Sequence, residues 1–139
     1  MMISTRGRYA LRFLLDLASQ GDNEYIPMRV VAERENISLK YLEQIVPIFS
    51  KNHLVDVSYG KGGGYKLSRK PGEYTVGEIL RLTEGDLAPV SCLGCESEVC
   101  ERADHCKTLP MWREFNDITN KYFDGVTLAS LMNGTVAQV

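Results

Sequence analysis

Residues 38–65, SLKYLEQIVPIFSKNHLVDVSYGKGGGY, decide the fold of this chain. Ser38 is a favoured N-cap residue, and the apolar residues after it repeat at the spacing of a helix with one buried face: Leu42, Ile45, Val46 and Phe49. Pro47 lies inside this helix and predicts a kink or an early end, because it has no backbone N–H to donate. Residues 54–59 alternate apolar and polar side chains, and residues 65–68 return after a glycine-rich tip, so the stretch ends in a β-hairpin.

Two helices are predicted before this stretch. The first ends at Gly21 and has apolar residues at helical spacing: Tyr9, Phe13, Leu14 and Leu17. Pro27 suits the first position of a short second helix, and Asn36 with Ile37 forms the tight turn before Ser38. Three short helices followed by a glycine-tipped hairpin are the elements of a winged helix-turn-helix. The predicted fold class is therefore mostly α with a small β-hairpin.

Further helices are predicted after the hairpin. Thr75 and Glu78 have the spacing of a capping box at the start of a helix that ends at Gly85. A long helix follows, then a short tail helix capped by Thr127; the apolar stripe of the long helix is Leu109, Trp112, Phe115, Ile118, Tyr122 and Phe123. Three segments are predicted: a winged-helix domain over residues 1–85, a cysteine-rich loop over 86–107, and the long helix with its tail over 108–139.

The composition, with 44% hydrophobic and 24% charged residues in a chain of 139, is typical of one globular domain. Residues 1–70 hold 11 Lys and Arg against 7 Asp and Glu, whereas residues 71–139 hold 5 against 11. A basic first half suits a phosphate-rich partner, although such an imbalance also arises by chance. Because no apolar run has the length of a membrane span or a signal-peptide core, we expect a cytoplasmic protein that does not bind membranes. Two histidines and no suitably spaced pair of acids argue against an enzyme.

The third helix of a winged helix-turn-helix enters the major groove of DNA, led by its N-terminal residues. The amide of Gln44 can read adenine, and Lys40 can contact guanine or a phosphate. The glycine-rich tip suits a phosphate or the minor groove, and the free N–H groups at the start of the first helix can hold a phosphate. A domain that only packs, with a solvated basic face, is the alternative. The candidate DNA-binding residues are Thr5, Arg6, Arg8, Ser38, Lys40, Tyr41, Gln44, Tyr59 and Lys61.

All four cysteines lie between residues 92 and 106, in the order Cys92-x2-Cys95-x4-Cys100-x5-Cys106. A disulfide framework is disfavoured in a reduced cytosolic chain. Four thiolates can hold structural zinc, but zinc sites favour two close pairs, and only Cys92 and Cys95 form one. Wider spacings suit an iron–sulfur cluster. The spacing alone favours zinc and an iron–sulfur cluster equally, with a metal-free redox-reactive loop third.

Several stretches together resemble the Rrf2 family of bacterial transcription regulators. They are ISTRGRYALR at residues 3–12, SLKYLEQ at 38–44, GKGGGY at 60–65, VGEI at 76–79, LTEG at 82–85, the Cys100-x5-Cys106 spacing and GVTL at 125–128. These stretches occur in the order of the family and span nearly the whole chain. The resemblance implies a DNA-binding regulator of transcription, such as a repressor, and not an enzyme.

The resemblance also implies a homodimer in which the long helix of residues 108–139 crosses its twin. The side chains expected at that interface are Trp112, Phe115, Ile118 and Tyr122. Burial of this stripe against the winged domain of its own chain is the alternative. A two-fold symmetric dimer would bind a palindromic operator in double-stranded DNA, because the symmetry of the protein is mirrored in its site.

Iron–sulfur proteins of the family hold their cluster through three cysteines. The residues that match this triad are Cys92, Cys100 and Cys106, with Cys95 as an additional candidate metal ligand. Leu109 stands where the cluster-sensing members have a histidine that completes the site, so the fourth ligand is open. Cys95 is the first candidate for it, followed by His105 and then by a residue of the partner subunit.

The implied function is a dimeric regulator that senses an iron–sulfur cluster, and through it iron–sulfur, redox or nitric oxide status. A 2Fe–2S cluster is expected ahead of a 4Fe–4S cluster, with zinc as the alternative cofactor. The alternative function is a cluster-free or zinc-stabilised winged-helix regulator, for example of cysteine metabolism, that works with a protein partner.

Overall fold

A computed structural model describes residues 2–21 and 23–136, so residues 1, 22 and 137–139, the last three in the predicted tail, lie outside the described part. The elements in chain order are α1 (Thr5–Ser19), α2 (Met28–Glu35), α3 (Leu39–Lys51), β1 (Val55–Ser58), β2 (Gly64–Leu67), α4 (Val76–Glu84), α5 (Leu109–Gly125) and α6 (Leu128–Asn133). The predicted class, mostly α with a small antiparallel hairpin, is confirmed. None of the helices in the described ranges has both the length and the apolar character needed to cross a bilayer.

Local sequence signals fix the start of α3. Asn36 adopts a left-handed conformation with φ of 52° and ends α2, and the Ser38 hydroxyl accepts a hydrogen bond from the Tyr41 amide at 3.3 Å. The predicted stripe is buried at all four positions: Leu42, Ile45, Val46 and Phe49. Of the two outcomes predicted at Pro47, the early end is wrong, because α3 continues to Lys51, and the kink stays a prediction. Pro47 lies on the exposed face, where water can hydrogen-bond to the carbonyl that the proline leaves without a donor.

The hairpin is pinned to the helices by a close backbone contact. β1 and β2 pair from Val55 opposite Leu67 to Ser58 opposite Gly64. Tyr65 also exchanges two backbone hydrogen bonds of 2.8 Å with Ile26. A side chain at Gly64 would overlap the backbone of Ile26, so only glycine permits this approach.

Two apolar clusters hold the domain together. The larger one joins α1, α3 and the hairpin, with the rings of Phe13 and Phe49 stacked at 6.3 Å. It also contains the fully buried Leu128 of α6, so the tail helix packs on the winged-helix part of the chain. The smaller cluster joins α4 to the start of the cysteine loop through Leu87 and to α5 through Phe123.

The capping box predicted for α4 is only half formed. Thr75 accepts a hydrogen bond from the Glu78 amide at 3.1 Å, as expected. The Glu78 carboxylate, however, pairs with Arg69 at 2.8 Å and does not return to the Thr75 amide. The Arg69–Glu78 pair therefore connects α4 to the base of the hairpin. The Arg69 guanidinium also lies 4.4 Å from the centre of the Tyr74 ring.

The buried hydroxyl of Tyr74 links the same region to the hairpin. It donates a hydrogen bond to the Leu54 carbonyl at 2.5 Å and accepts one from the Arg69 amide at 3.1 Å. Tyr74→Phe would leave both backbone groups without this partner, so we expect the free energy of unfolding to fall by about 1–3 kcal/mol. Urea denaturation of the purified variants measures this change. Tyr59→Phe is the matched control, because Tyr59 is 90% exposed; equal losses in the two variants would contradict the assignment.

Candidate nucleic-acid interface and cysteine loop

The exposed face of α3 carries two of the candidate DNA-binding side chains. Lys40 and Gln44 are exposed, whereas the stripe on the opposite face is buried. Tyr41 differs from the expectation that it points fully outward, because its ring packs edge-on against Tyr9 at 5.4 Å. This contact places the N-terminal half of α1 beside the first turn of α3. The Ser38 hydroxyl already caps α3, so any contact that it makes with a ligand is additional to this role in the helix.

The first turn of α1 presents the second group of candidates. Arg6 and Arg8 are exposed, and Arg8 donates a hydrogen bond to the Thr5 hydroxyl at 3.0 Å. The Ser4 hydroxyl caps the helix by accepting from the Gly7 amide at 3.2 Å. Glu84 was not among the residues predicted from the sequence, and its carboxylate accepts hydrogen bonds from Ser4. The sequence did offer one signal: a carboxylate at the C-terminal end of a helix is unfavourable, which indicates a compensating partner elsewhere in the chain.

The hairpin tip presents the third group. Tyr59 lies just after β1 and Lys61 lies within the tip, and both are exposed. Gly60 and Gly62 have φ of 87° and 79°, values that other residues rarely adopt. Lys66 of β2 lies 4.8 Å from the centre of the Tyr25 ring. The tip is therefore a narrow, basic projection with one large exposed aromatic ring.

The cysteine loop is anchored near its start by an aspartate that the sequence analysis did not single out. Asp86 accepts hydrogen bonds from the amides of Ala88 at 2.9 Å and Cys95 at 3.2 Å. The Ser97 hydroxyl bonds to the carbonyl of Cys92 at 3.1 Å. Buried Leu87, the residue after Asp86, fixes the chain beside these contacts. The first half of the loop is thus held largely by its own backbone and short polar side chains.

The four thiols do not converge on one point. Cys92 and Cys100 line one cleft of about 160 Å³, together with Leu109 and Arg113 of α5. The backbone amide of Cys95 instead donates a hydrogen bond to Asp86, and Cys106 lies beside the start of α5. Across residues 2–21 and 23–136, no three Cys, His, Asp or Glu side chains are close enough together to hold a metal ion. The donor chemistry suits a metal, but the loop has to refold to bring three thiolates to one site.

The surroundings of Cys106 favour the ionised form of its thiol. Its sulfur lies 3.3 Å from the Thr108 hydroxyl, and Thr108 is the N-cap residue of α5. Hydrogen bonds from this hydroxyl and from the Thr108 amide lower the pKa of the Cys106 thiol, and Arg102 adds a smaller effect in the same direction. The thiolate form, which binds metals and reacts with electrophiles, is therefore favoured at this position.

One face of α5 is apolar and exposed in the single chain. Its large exposed side chains are Met111, Phe115, Ile118 and Tyr122. Ile118 is 54% exposed, and the buried residues of α5 are only Leu109 and Thr119 within the described part. The helix is fixed near its other end, where Arg81 of α4 contacts Asp124 at 2.7 Å and 3.0 Å. Burial against its own winged domain therefore does not account for Phe115, Ile118 and Tyr122 of the predicted stripe, whereas Trp112 is half-buried.

The chain matches, over residues 3–134, the sequence family described as Rrf2, iron-dependent transcriptional regulator. It is 34% identical over 133 residues to the HTH-type transcriptional regulator IscR of Cronobacter sakazakii, covering 96% of this chain and 81% of that protein. It is 35% identical over 133 residues to IscR of Pectobacterium atrosepticum, covering 96% of this chain and 80% of that protein.

Solved structures show the same similarity. CymR, the global cysteine regulator of B. subtilis, matches with a TM-score of 0.79 and 32% identity, over 97% of this chain and 98% of that one. IscR of T. potens matches with a TM-score of 0.73 and 27% identity, over 100% of this chain and 94% of that one. The structural likeness thus extends both to a regulator named for cysteine and to IscR.

The lowered pKa of Cys106 predicts selective reactivity. Because only the thiolate is alkylated rapidly, iodoacetamide should modify Cys106 of the metal-free parent near neutral pH faster than Cys106 of Thr108→Val. Thr108→Val removes the hydroxyl donor, so the pKa rises and alkylation at neutral pH slows. At alkaline pH the Cys106 thiol is ionised in both proteins, so the difference in alkylation rate disappears.

Mass spectrometry of labelled peptides across a pH series gives both rates in one experiment. Exposed Cys95 is the internal reference, because its rate should be the same in the parent and in Thr108→Val. Identical Cys106 rates in the two proteins at every pH would show that Thr108 does not activate this thiol.

Proposed function

The chain belongs to the Rrf2 family of transcriptional regulators, and from this premise we propose that it binds duplex DNA as a homodimer whose cysteine loop holds an iron–sulfur cluster. Members of this family are regulators of transcription and not enzymes, which agrees with the lack of a catalytic residue set in the sequence. We also infer a cytoplasmic location, because that is where a bacterial regulator meets its DNA.

The observation that carries the DNA-binding proposal is the exposed face of α3. Its first turn is capped by Ser38 and its exposed side chains include a cation, Lys40, and an amide, Gln44. In a winged helix-turn-helix this turn faces base edges in the major groove, where an amide can pair with adenine. Arg6 and Arg8 at the start of α1 and Lys61 at the hairpin tip would add phosphate contacts.

Substitution of a residue that contacts a base edge and of one that contacts a phosphate should affect DNA binding differently. Gln44→Ala should lose about 1–3 kcal/mol of discrimination at one base pair while keeping most of its affinity for other duplexes. Lys61→Ala should weaken binding to all sequences by a similar factor and lower the salt dependence by about one phosphate contact. Fluorescence anisotropy with a panel of operator variants measures both. Uniform weakening by Gln44→Ala would show that this amide reads no base.

The dimer proposal is supported by the apolar face of α5. A face with Phe115 at 43% and Ile118 at 54% exposure, repeated along one side of a helix of 17 residues, is costly to leave in water. An antiparallel copy of the same helix would cover it. Two α3 helices would then meet a palindromic operator.

For the cluster we propose Cys92, Cys100 and Cys106 as ligands, with Cys95, His105 or a residue of the partner subunit as the fourth. When bound, an iron–sulfur cluster supplies a centre that responds to oxygen, nitric oxide and iron supply; a 2Fe–2S cluster is preferred. Cys92 and Cys100 already line one cleft, and the lowered pKa of Cys106 favours its ligating form. The loop joins α4 to α5, so its ordering would set the relation between the winged domain and the dimer helix.

A second candidate function is a regulator that holds no cluster. Two observations favour keeping it: the thiols do not converge in the described part of the chain, and CymR of B. subtilis is a close structural match. In this case the loop would be a zinc site or a free thiol loop, and the response would come from a protein partner. Metal content separates the two functions.

Protein purified without air should be brown and contain iron and acid-labile sulfide. Cys100→Ala and Cys106→Ala should lose the colour because each removes a thiolate ligand. They should also bind operator DNA as the cluster-free parent does. Absorption spectra with iron, sulfide and zinc analysis test the first point, and anisotropy tests the second. Colourless parent protein that contains zinc would instead support the alternative function.

A further inference from the structure

Glu84 occupies a position where a carboxylate is unfavourable unless another part of the chain compensates its charge. It is the last residue of α4, where the negative end of the helix dipole repels a carboxylate. Its Oε1 accepts hydrogen bonds from the Ser4 hydroxyl at 2.6 Å and from the Ser4 amide at 3.1 Å. The carboxylate is therefore compensated by the positive end of α1, a contact between residues 80 positions apart in the chain.

The packing around this contact leaves no room for a side chain at Gly7 unless the Glu84 carboxylate moves. Gly7 is buried in the first turn of α1, and a side chain there would overlap Oε1 of Glu84. The same added carbon would lie 3.2 Å from side-chain atoms of Ile3 and Leu80. Glycine inside a helix costs about 1 kcal/mol relative to alanine, so its presence here is explained by the space that the Glu84 carboxylate occupies.

The contact joins two functional regions of the chain. On one side, Ser4 precedes the first turn of α1, which carries the exposed Arg6 and Arg8. On the other side, Glu84 is two residues from Asp86, which anchors the amide of Cys95 in the cysteine loop. The position of the first turn of α1 thus depends on where α4 ends and the loop begins.

We propose that Glu84 is a positioning residue for DNA binding, which holds Ser4 so that Thr5, Arg6 and Arg8 of the first turn of α1 contact a backbone phosphate. This inference rests on the proposed DNA-binding function. Glu84 does not itself contact DNA in this proposal. It fixes the helix end whose Thr5 hydroxyl and two exposed arginines receive the phosphate.

The sign of the effect on DNA binding distinguishes positioning from simple electrostatics. If Glu84 acted only as a negative charge near the DNA, its removal would relieve repulsion and strengthen binding. If it positions the first turn of α1, its removal weakens binding although the protein becomes less acidic. The two explanations therefore predict opposite changes for Glu84→Ala.

Binding of the full-length protein to a fluorescent random-sequence duplex is measured by anisotropy over a range of salt concentrations. Glu84→Ala should weaken binding about fivefold or more and lower the salt dependence by about one phosphate contact. Gly7→Ala should do the same, because it displaces the carboxylate without removing its charge. Glu84→Gln, which keeps an acceptor oxygen for Ser4, should retain most of the affinity. Glu114→Ala removes an exposed carboxylate of α5 and should not weaken binding.

Circular dichroism melting of each variant shows whether it is folded at the temperature of the binding assay. Should Glu84→Ala fail to fold, Gly7→Ala and Ser4→Ala test the same contact from the side of α1. Folded variants that lack the contact yet bind as tightly as the parent, or more tightly, would overturn the inference. If the parent itself shows no salt-dependent binding to any duplex, the proposed function fails instead.

Discussion

The burial of one face of α3 against α1 is the contact on which the rest of the structure depends. Phe13 and Phe49 stack at its centre, and neither ring is exposed to solvent. Because this face is buried, the opposite face with Lys40 and Gln44 is fixed toward solvent. The edge-on contact of Tyr9 with Tyr41 then sets the first turn of α3 beside α1. The exposed surface that we propose for DNA binding thus follows from the packing of an apolar stripe.

α4 connects this surface to the remainder of the chain. Arg81 holds α5 through Asp124, and Glu84 holds the N-terminus of α1 through Ser4. The cysteine loop leaves from the end of the same helix and returns at α5. Between these fixed ends, the loop is held mainly by short-range hydrogen bonds such as those of Asp86 and Ser97. No residue from 91 to 107 is buried, so a metal bound there as proposed would act on a segment with little packing to oppose it.

Most of the fold could be predicted from the sequence because its signals are local. Ser38, Thr75 and Thr127 each cap a helix, and the four-residue stripe of α3 is buried as its spacing predicts. The early end at Pro47 was wrong, because tertiary packing of the stripe outweighs the loss of one hydrogen bond on an exposed face. The Glu78 side chain does not complete the predicted capping box, because a tertiary contact again outweighs the local signal: it pairs with the charged Arg69 side chain.

The candidate site was less predictable, because it depends on contacts between distant parts of the chain. No periodicity relates Glu84 to Ser4 or Arg113 to the cleft of Cys92 and Cys100. The spacing of the cysteines gave no information on which thiols face each other. Cysteine spacing reports how far the chain can reach, whereas convergence depends on how the loop folds around its ligand.

Selection of bound sequences from a random duplex library tests the central claim most directly. A homodimer that presents two copies of α3 should enrich sequences with two inverted half-sites about one helical turn, roughly 10 base pairs, or a multiple of it apart. Enrichment of a single asymmetric site, or of no sequence at all, would contradict the account of this chain as a two-fold symmetric winged-helix regulator.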